Sequence, residues 1–458
     1  MTRRVDTKPA LRVLATSVLL ALVVGCGPGD TPLERVVRSE SAHERYARSL
    51  READLDGTAL GRDWLVAAGA SLAAAAPIAL PFREAGYFAE TEARAVAYRV
   101  KARRGQRIVA QVQVEGSPTA RLFVDLFEPA RDSAAGPVRL ASADSGASGV
   151  THEAERDGEY LLRLQPELLR GARYLLTVRV EGSLAFPVQG RDGRAVQSLF
   201  GAVRDAGRRE HHGVDIFARR GTPVLAAGSG IASVGTNQLG GKVVWVRDAL
   251  LRRSLYYAHL DSQLVVTGQL VRVGDTLGLV GNTGNARTTP SHLHFGIYVR
   301  GEGPVDPSPF ITRPSGDPPR VAADTSVLGG WRRVEARGGL ALRRAPSDRD
   351  SSIRTLPRRT VVRVDGAAGR YFRVRLPDGA TGYLAASGTA APTPVERLRR
   401  PVLALVRAEP TVAAAAIDSV RAGAAIAVLG RFDRFLLVRT PSGRTGWLET
   451  DERAMSDE

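Results

Sequence analysis

His292-Leu293-His294-Phe295-Gly296-Ile297-Tyr298-Val299 reads as one β-strand with two unlike faces. Residues two apart on a strand share a face, so Leu293, Phe295, Ile297 and Val299 turn to a core while both imidazoles turn to a pocket. Two histidines on one strand face can both reach a single metal. Equally, one can bind the metal while the other works on substrate.

A second stretch, His211-His212-Gly213-Val214-Asp215-Ile216, lies upstream. His211 and Asp215 are an even number of residues apart, Val214 and Ile216 face inward, and Gly213 lets the backbone bend between the two polar groups. His212 alternates away from His211, towards solvent or a neighbouring loop, and is not read as a ligand. An imidazole–carboxylate pair plus a further imidazole makes a His2Asp set. Three protein ligands and one open position are the form of a catalytic zinc site, whereas a structural site wants a fourth ligand, often cysteine. The same donors also suit manganese or iron, so zinc is favoured and not forced.

The chain has 458 residues, enough for three or four domains. The chemistry sits in 187–312. Upstream, 82–186 keeps a period of two at Ile108, Ala110, Val112 and Val114, with further strands at Leu122 to Phe127 and Tyr174 to Val180. This predicts a β-sandwich, a spacer in preference to a carbohydrate binder. Residues 27–81 form a helical linker segment, which Gly57 and Gly61 are expected to break in two. Beyond a linker at 313–328, the sequence repeats itself: Arg343 matches Arg407, Pro346 matches Pro410, and Thr381-Gly382-Tyr383-Leu384 matches Thr445-Gly446-Trp447-Leu448. Two copies, 329–390 and 398–452, are too few for a solenoid and predict two small barrels, with Tyr383 and Trp447 in their cores. The fold class is therefore mainly β and multidomain, with a short N-terminal helical segment. His43 and His152 fall in other domains and are expected at the surface.

Net charge is +16, almost all from arginine. Such a surface favours polyanions, among them anionic headgroups and acidic wall polymers. No basic run with interleaved aromatics, zinc-finger spacing or Lys/Arg-rich helix is present, so nucleic acid is not expected as a partner. The single cysteine, Cys26, rules out an intrachain disulfide. It ends a positive leader (Arg3, Arg4, Lys8, Arg12) and an apolar run from Val13 to Val24, which is too short to span a bilayer and reads as a signal peptide over 1–26.

The blocks His211-x-Gly213-Val214-Asp215, Gly221-Thr222-Pro223-Val224, Tyr257-Ala258-His259-Leu260, Gly274-Asp275-x-x-Gly278, Gly281-Asn282-Thr283-Gly284 and His292-Leu293-His294-Phe295 make 198–310 resemble the LytM/lysostaphin-like peptidase domain. The resemblance implies a compact, mostly antiparallel β domain with a substrate groove. It also implies one Zn2+ per chain on His211, Asp215 and His294, with His259 and His292 as the catalytic histidines. Asn285 to Pro290 departs slightly from the family pattern without removing a ligand. Val23-Val24-Gly25-Cys26 resembles a bacterial lipobox, which implies lipidation of Cys26 and a membrane anchor. Gly27 lacks the aspartate associated with inner-membrane retention, which favours the periplasmic side of an outer membrane if the cell has one. The sandwich is similar to pre-peptidase domains, and the repeats resemble bacterial SH3-like modules that bind peptidoglycan. The expected function is a zinc metalloendopeptidase of peptidoglycan cross-links or stem peptides. Other wall-synthesis or division proteins stay open as partners. The competing expectations are a non-catalytic envelope scaffold that recruits or activates another wall hydrolase, and a protease of envelope proteins.

Overall fold

The computed structural model describes residues 39–450 apart from 116–120, 131–135, 144–148, 205–206, 208, 249–251 and 314–315. The signal segment 1–26 and Cys26 lie outside the described residues. Everything below belongs to the compact unit that begins at Ser41.

The unit opens with two helices, α1 (Ala42–Glu52) and α2 (Ala59–Ala73). Ser41 and Glu44 start α1 as a capping box, each side chain accepting the other's backbone N–H. The break between the helices falls at Ala53–Thr58, and Thr58 caps α2. Gly61, expected to break the segment, instead lies inside α2. A Cβ there would overlap the carbonyl of Leu55, so glycine lets the helix close onto the preceding turn.

His43 is also not at the surface. Its neighbours Ala42, Ala47 and Leu50 carry that face of α1 into the protein, and His43 is 6% exposed. Its ring stacks on Trp64 at 4.7 Å, and its Nε2 donates to Gln165 Oε1 at 2.8 Å. Gln165 in turn donates to Trp64 O, and Trp64 Nε1 donates to Pro166 O. Burial pushes the His43 imidazole down to about 4, with the nearby Arg163 acting the same way. His152 is half-buried on the strand Gly149–Glu153.

The sandwich follows. One sheet orders its strands Ala76–Pro77, Val96–Ala102, Gly158–Pro166, Leu122–Glu128, Val138–Ala143; the facing layer contains Phe82–Phe88, Ala172–Gly182, Gln106–Glu115 and Gly149–Glu153. Alternate residues of both sheets, such as Tyr98, Leu126 and Leu162 against Ile108, Ala110 and Leu176, meet in one core.

The repeat region keeps the sequence period strand for strand. Leu340–Arg343, Ser352–Leu356, Val361–Ala368, Tyr371–Arg375 and Thr381–Ala385 recur as Ala404–Arg407, Ala416–Val420, Ala425–Phe432, Phe435–Arg439 and Thr445–Glu449. Even the cross-strand partners Arg343 and Tyr383 recur as Arg407 and Trp447. Tyr383 and Trp447 are both buried. Among the described residues no strand pair closes either copy into a ring. The first copy is also not a separate body, because Val361–Ala368 pairs with Phe82–Phe88 and extends the sandwich sheet. At that junction Glu84, with no exposure, accepts from Tyr98, Arg373 and Tyr383, and Arg373 also donates to Tyr174.

The stretch of sequence between sandwich and repeats forms a ten-stranded sheet. Its main path uses β1 (Val196–Ser198), β2 (Val214–Phe217), β3 (Gly230–Asn237), β4 (Gly241–Asp248), β5 (Arg253–Gln263), β6 (Leu270–Val271) and β7 (His292–Val299), in the spatial order β1-β2-β7-β5-β4-β3-β6. Val214, Ile216, Leu255, Tyr257, Leu293, Phe295 and Ile297 fill the core on one face. The other face of β2, β5 and β7 is left for polar groups. The sheet is fastened to the sandwich by Gly182 and Leu184 N–H groups on the carbonyls of Thr312 and Phe310, and by the Arg253–Glu153 and Arg104–Glu302 ion pairs.

Candidate metal centre and active site

The antiparallel pair β2–β7 sets Asp215 directly opposite His294. On the far side of β2, Ser198 of β1 is the partner of Asp215. His211 comes from the segment just before β2, held by its N–H on Ala202 O at 2.9 Å. These strands bring three donor atoms together. His211 Nε2 lies 3.0 Å from Asp215 Oδ1 and 2.9 Å from His294 Nδ1, and His294 Nδ1 lies 3.1 Å from the same Asp215 oxygen. Among the described residues this His/Asp/His set is the group of side chains that could hold a metal ion.

The donor chemistry fits a borderline divalent cation. The His211 Nδ1–H donates to Leu199 O at 2.9 Å, which leaves the Nε2 lone pair facing the cluster. Burial alone would raise the Asp215 carboxyl, but the His211 and His294 imidazoles outweigh it and hold the group far below the usual carboxylate range. It is therefore ionised at any working pH. Gly213 stands at the expected bend and also allows a close approach: a Cβ there would lie 2.7 Å from His294 Nε2.

Two further imidazoles stand beside the cluster. His292 Nε2 is 3.9 Å from Asp215 Oδ1, and its ring stacks on Phe217. The His259 ring lies 5.0 Å from that of His292. Each donates Nδ1–H to a carbonyl at 2.9 Å, His292 to Pro290 and His259 to Thr283, so each offers Nε2 as the free base. Burial, reinforced by His292 and His294, pushes His259 down to about 4. His259 also adopts φ +63°, a left-handed conformation rare for a residue with a side chain. The Gly281-Asn282-Thr283-Gly284 block explains itself here. Thr283 O orients His259, Thr283 Oγ1 accepts from Lys242 N and donates to Leu260 O, and a Cβ on Gly284 would overlap the backbone of Gly241.

All five expected positions thus meet in one groove of about 780 Å³. His212 lines the same groove but is exposed and outside the donor set. Arg204 was not foreseen. Its Nη2 donates to Asp215 Oδ2 at 2.8 Å and to Ser198 Oγ, so the carboxylate turns one oxygen to the imidazoles and the other to a guanidinium. Nothing in the local sequence marks Arg204 apart from the many other arginines.

Residues 209–307 match the model of Peptidase family M23. An L-Ala–D-Glu endopeptidase of Bacillus subtilis (strain 168) is 37% identical over 142 residues, 28% of this chain and 43% of that one. The peptidoglycan DD-endopeptidase ShyC of Vibrio cholerae is 39% identical over 94 residues, 20% of this chain and 21% of that one. The chain therefore spans less than half the length of either relative. The catalytic domain of lysostaphin from Staphylococcus simulans is 32% identical, covering 24% of this chain and 87% of that one with a TM-score of 0.23. Residues 209–307 of the chain are thus a domain of Peptidase family M23.

Proposed function

We propose that this chain is a zinc-dependent endopeptidase that hydrolyses a peptide bond of peptidoglycan. The observation that carries the reading is the convergence of His211 Nε2, Asp215 Oδ1 and His294 Nδ1, with the free Nε2 edges of His292 and His259 beside them. His211, Asp215 and His294 would hold one Zn2+. The ion supplies Lewis acidity towards a peptide carbonyl and makes water a stronger acid. His259 is neutral near pH 7 and has Nε2 free to take a proton, as general base. His292, whose free Nε2 lies nearer the carboxylate, can donate to the developing oxyanion or to the leaving amine only once that nitrogen has taken up a proton. Either imidazole can fill either role. Asp215 stays ionised and contributes one negative charge to the site.

The two curated relatives carry different bond specificities in their names, an L-Ala–D-Glu bond and a DD bond. The second is named for peptidoglycan, which favours that substrate over envelope proteins. Anchoring at Cys26 would hold the enzyme at a membrane surface of the envelope, and wall contacts by the repeat region would raise the local concentration of substrate. The test is digestion of cross-linked sacculi by the purified protein. Soluble muropeptides should appear, disappear with chelator and return with zinc. A protein that binds zinc and releases none supports the non-catalytic scaffold instead.

A further inference from the structure

β7 presents His292, His294, Gly296 and Tyr298 at alternate positions. Across the β5–β7 pair Gly296 faces Tyr256, and across β4–β5 Tyr256 faces Trp245. The row of donors therefore continues sideways into a row of rings. Trp245 lies 4.4 Å from Tyr256 and 5.2 Å from Tyr298, centroid to centroid, and Tyr256 lies 5.8 Å from the His294 ring. All three aromatics are half-buried and line the groove that holds the donor set.

These rings do not belong to the core. The aromatics beneath the sheet are Tyr257 and Phe295, on the opposite face. A contiguous apolar patch left in water costs about 25 cal/mol per Å2 and calls for an occupant, where a single exposed ring would not. The rings are tilted to one another, Trp245 by 38° to Tyr256 and by 58° to Tyr298, and together they form one wall of the groove. Gly296 lets these rings pack closely over the strand, because a Cβ there would lie 3.0 Å from His212 O and 3.2 Å from the Tyr298 ring. Asn237 and Gln238 put amides on the rim. Flat aromatic faces with an amide rim suit a pyranose ring, whose C–H face stacks while its hydroxyl and acetamido groups form hydrogen bonds at the edge.

We propose that Trp245, Tyr256 and Tyr298 form a carbohydrate subsite that stacks a sugar of the glycan strand while the attached peptide lies in the metal centre. The proposal rests on the peptidoglycan reading and narrows it. At roughly 3.4 Å per residue, Tyr298 stands about 14 Å along the strand from His294. A stem peptide would then be cut within a few residues of its sugar.

The probe is chitotetraose, an N-acetylglucosamine tetramer, titrated calorimetrically into the full-length protein in detergent. Wild type should bind it, Trp245→Ala should weaken binding by about tenfold or more, and the conservative Trp245→Phe should keep most of it. In parallel, KM is measured for a disaccharide-linked stem peptide and for the same peptide without sugar. The sugar should lower KM in wild type, and Trp245→Ala should remove that difference. No binding by wild type, or binding unaltered in Trp245→Ala, overturns the subsite, as does a KM that ignores the sugar. An inactive protein that still binds the sugar through Trp245 would leave the subsite standing and remove the peptidase reading. An active one indifferent to sugar would do the reverse.

Discussion

Asp215 and Arg204 form an ion pair at 2.8 Å through Oδ2, the carboxylate oxygen that faces away from His211 and His294. The pair fixes the rotation of the carboxylate and so presents Oδ1 to the imidazoles. Partners of this outer kind commonly tune a metal site by about 10–100-fold. Arg204→Ala is expected to lower zinc affinity or turnover within that range without unfolding the protein. Competition with a chromophoric chelator, alongside turnover, checks it, and an unchanged affinity and rate would make the pair incidental.

His259 tests the division of labour. It lies outside the donor set but has its Nε2 free in the groove. His259→Ala should keep the bound zinc and lose about 10²–10⁴-fold in kcat, the usual worth of a positioned acid or base. Loss of zinc in this variant would assign His259 to the metal instead.

Glu84 tests the join between sandwich and repeats. Its carboxylate is fully buried and accepts from Tyr98, Arg373 and Tyr383. Removing one partner of a buried pair leaves an uncompensated charge, so Glu84→Ala should cost about 3–5 kcal/mol in denaturant unfolding. The exposed pair Arg48–Glu52 is the control, and Glu52→Ala should cost less than about 1 kcal/mol. Equal small losses in both would show that the buried network does not hold the two parts together.

His43 sets part of the acid limb of stability. Its imidazole titrates near 6.5 when unfolded and near 4 when folded. Between those values the unfolded chain binds a proton that the folded chain does not, so stability rises with pH there. The contribution is complete above about 6.5 and is lost as pH falls towards 4, by a few kcal/mol at most. His43→Gln keeps a neutral donor for Gln165 and should flatten the fall in Tm over that window. An acid limb identical to wild type would mean that other groups cause it.

The site was legible because it is built from strands and short-range alternation. His292 and His294 share a face in any strand, and His211 with Asp215 needed only the β2–β7 register to meet them. The repeat was legible for the same reason, since each copy carries its own turns and core positions. What stayed hidden depends on packing between distant segments. The burial of His43 follows from α1 docking on Gln165, and the first repeat's merger with the sandwich follows from the edge pairing of Ala85 with Ala367. Gly61 was read as a break but lies inside α2, where a Cβ would overlap the Leu55 carbonyl, whereas Gly213 sits at the expected bend and its contact with His294 was the part that stayed hidden. Trp245, Tyr256 and Tyr298 carried a signal that alternation could have shown, because each sits on the non-core phase of its strand.

The account depends on one ion meeting His211, Asp215 and His294 together. Calorimetric titration of zinc into metal-free protein tests this most directly. Wild type and His259→Ala should each bind one zinc per chain, and Asp215→Ala and His294→Ala should bind none at that site. Full-affinity binding that survives both of the latter substitutions would contradict the account.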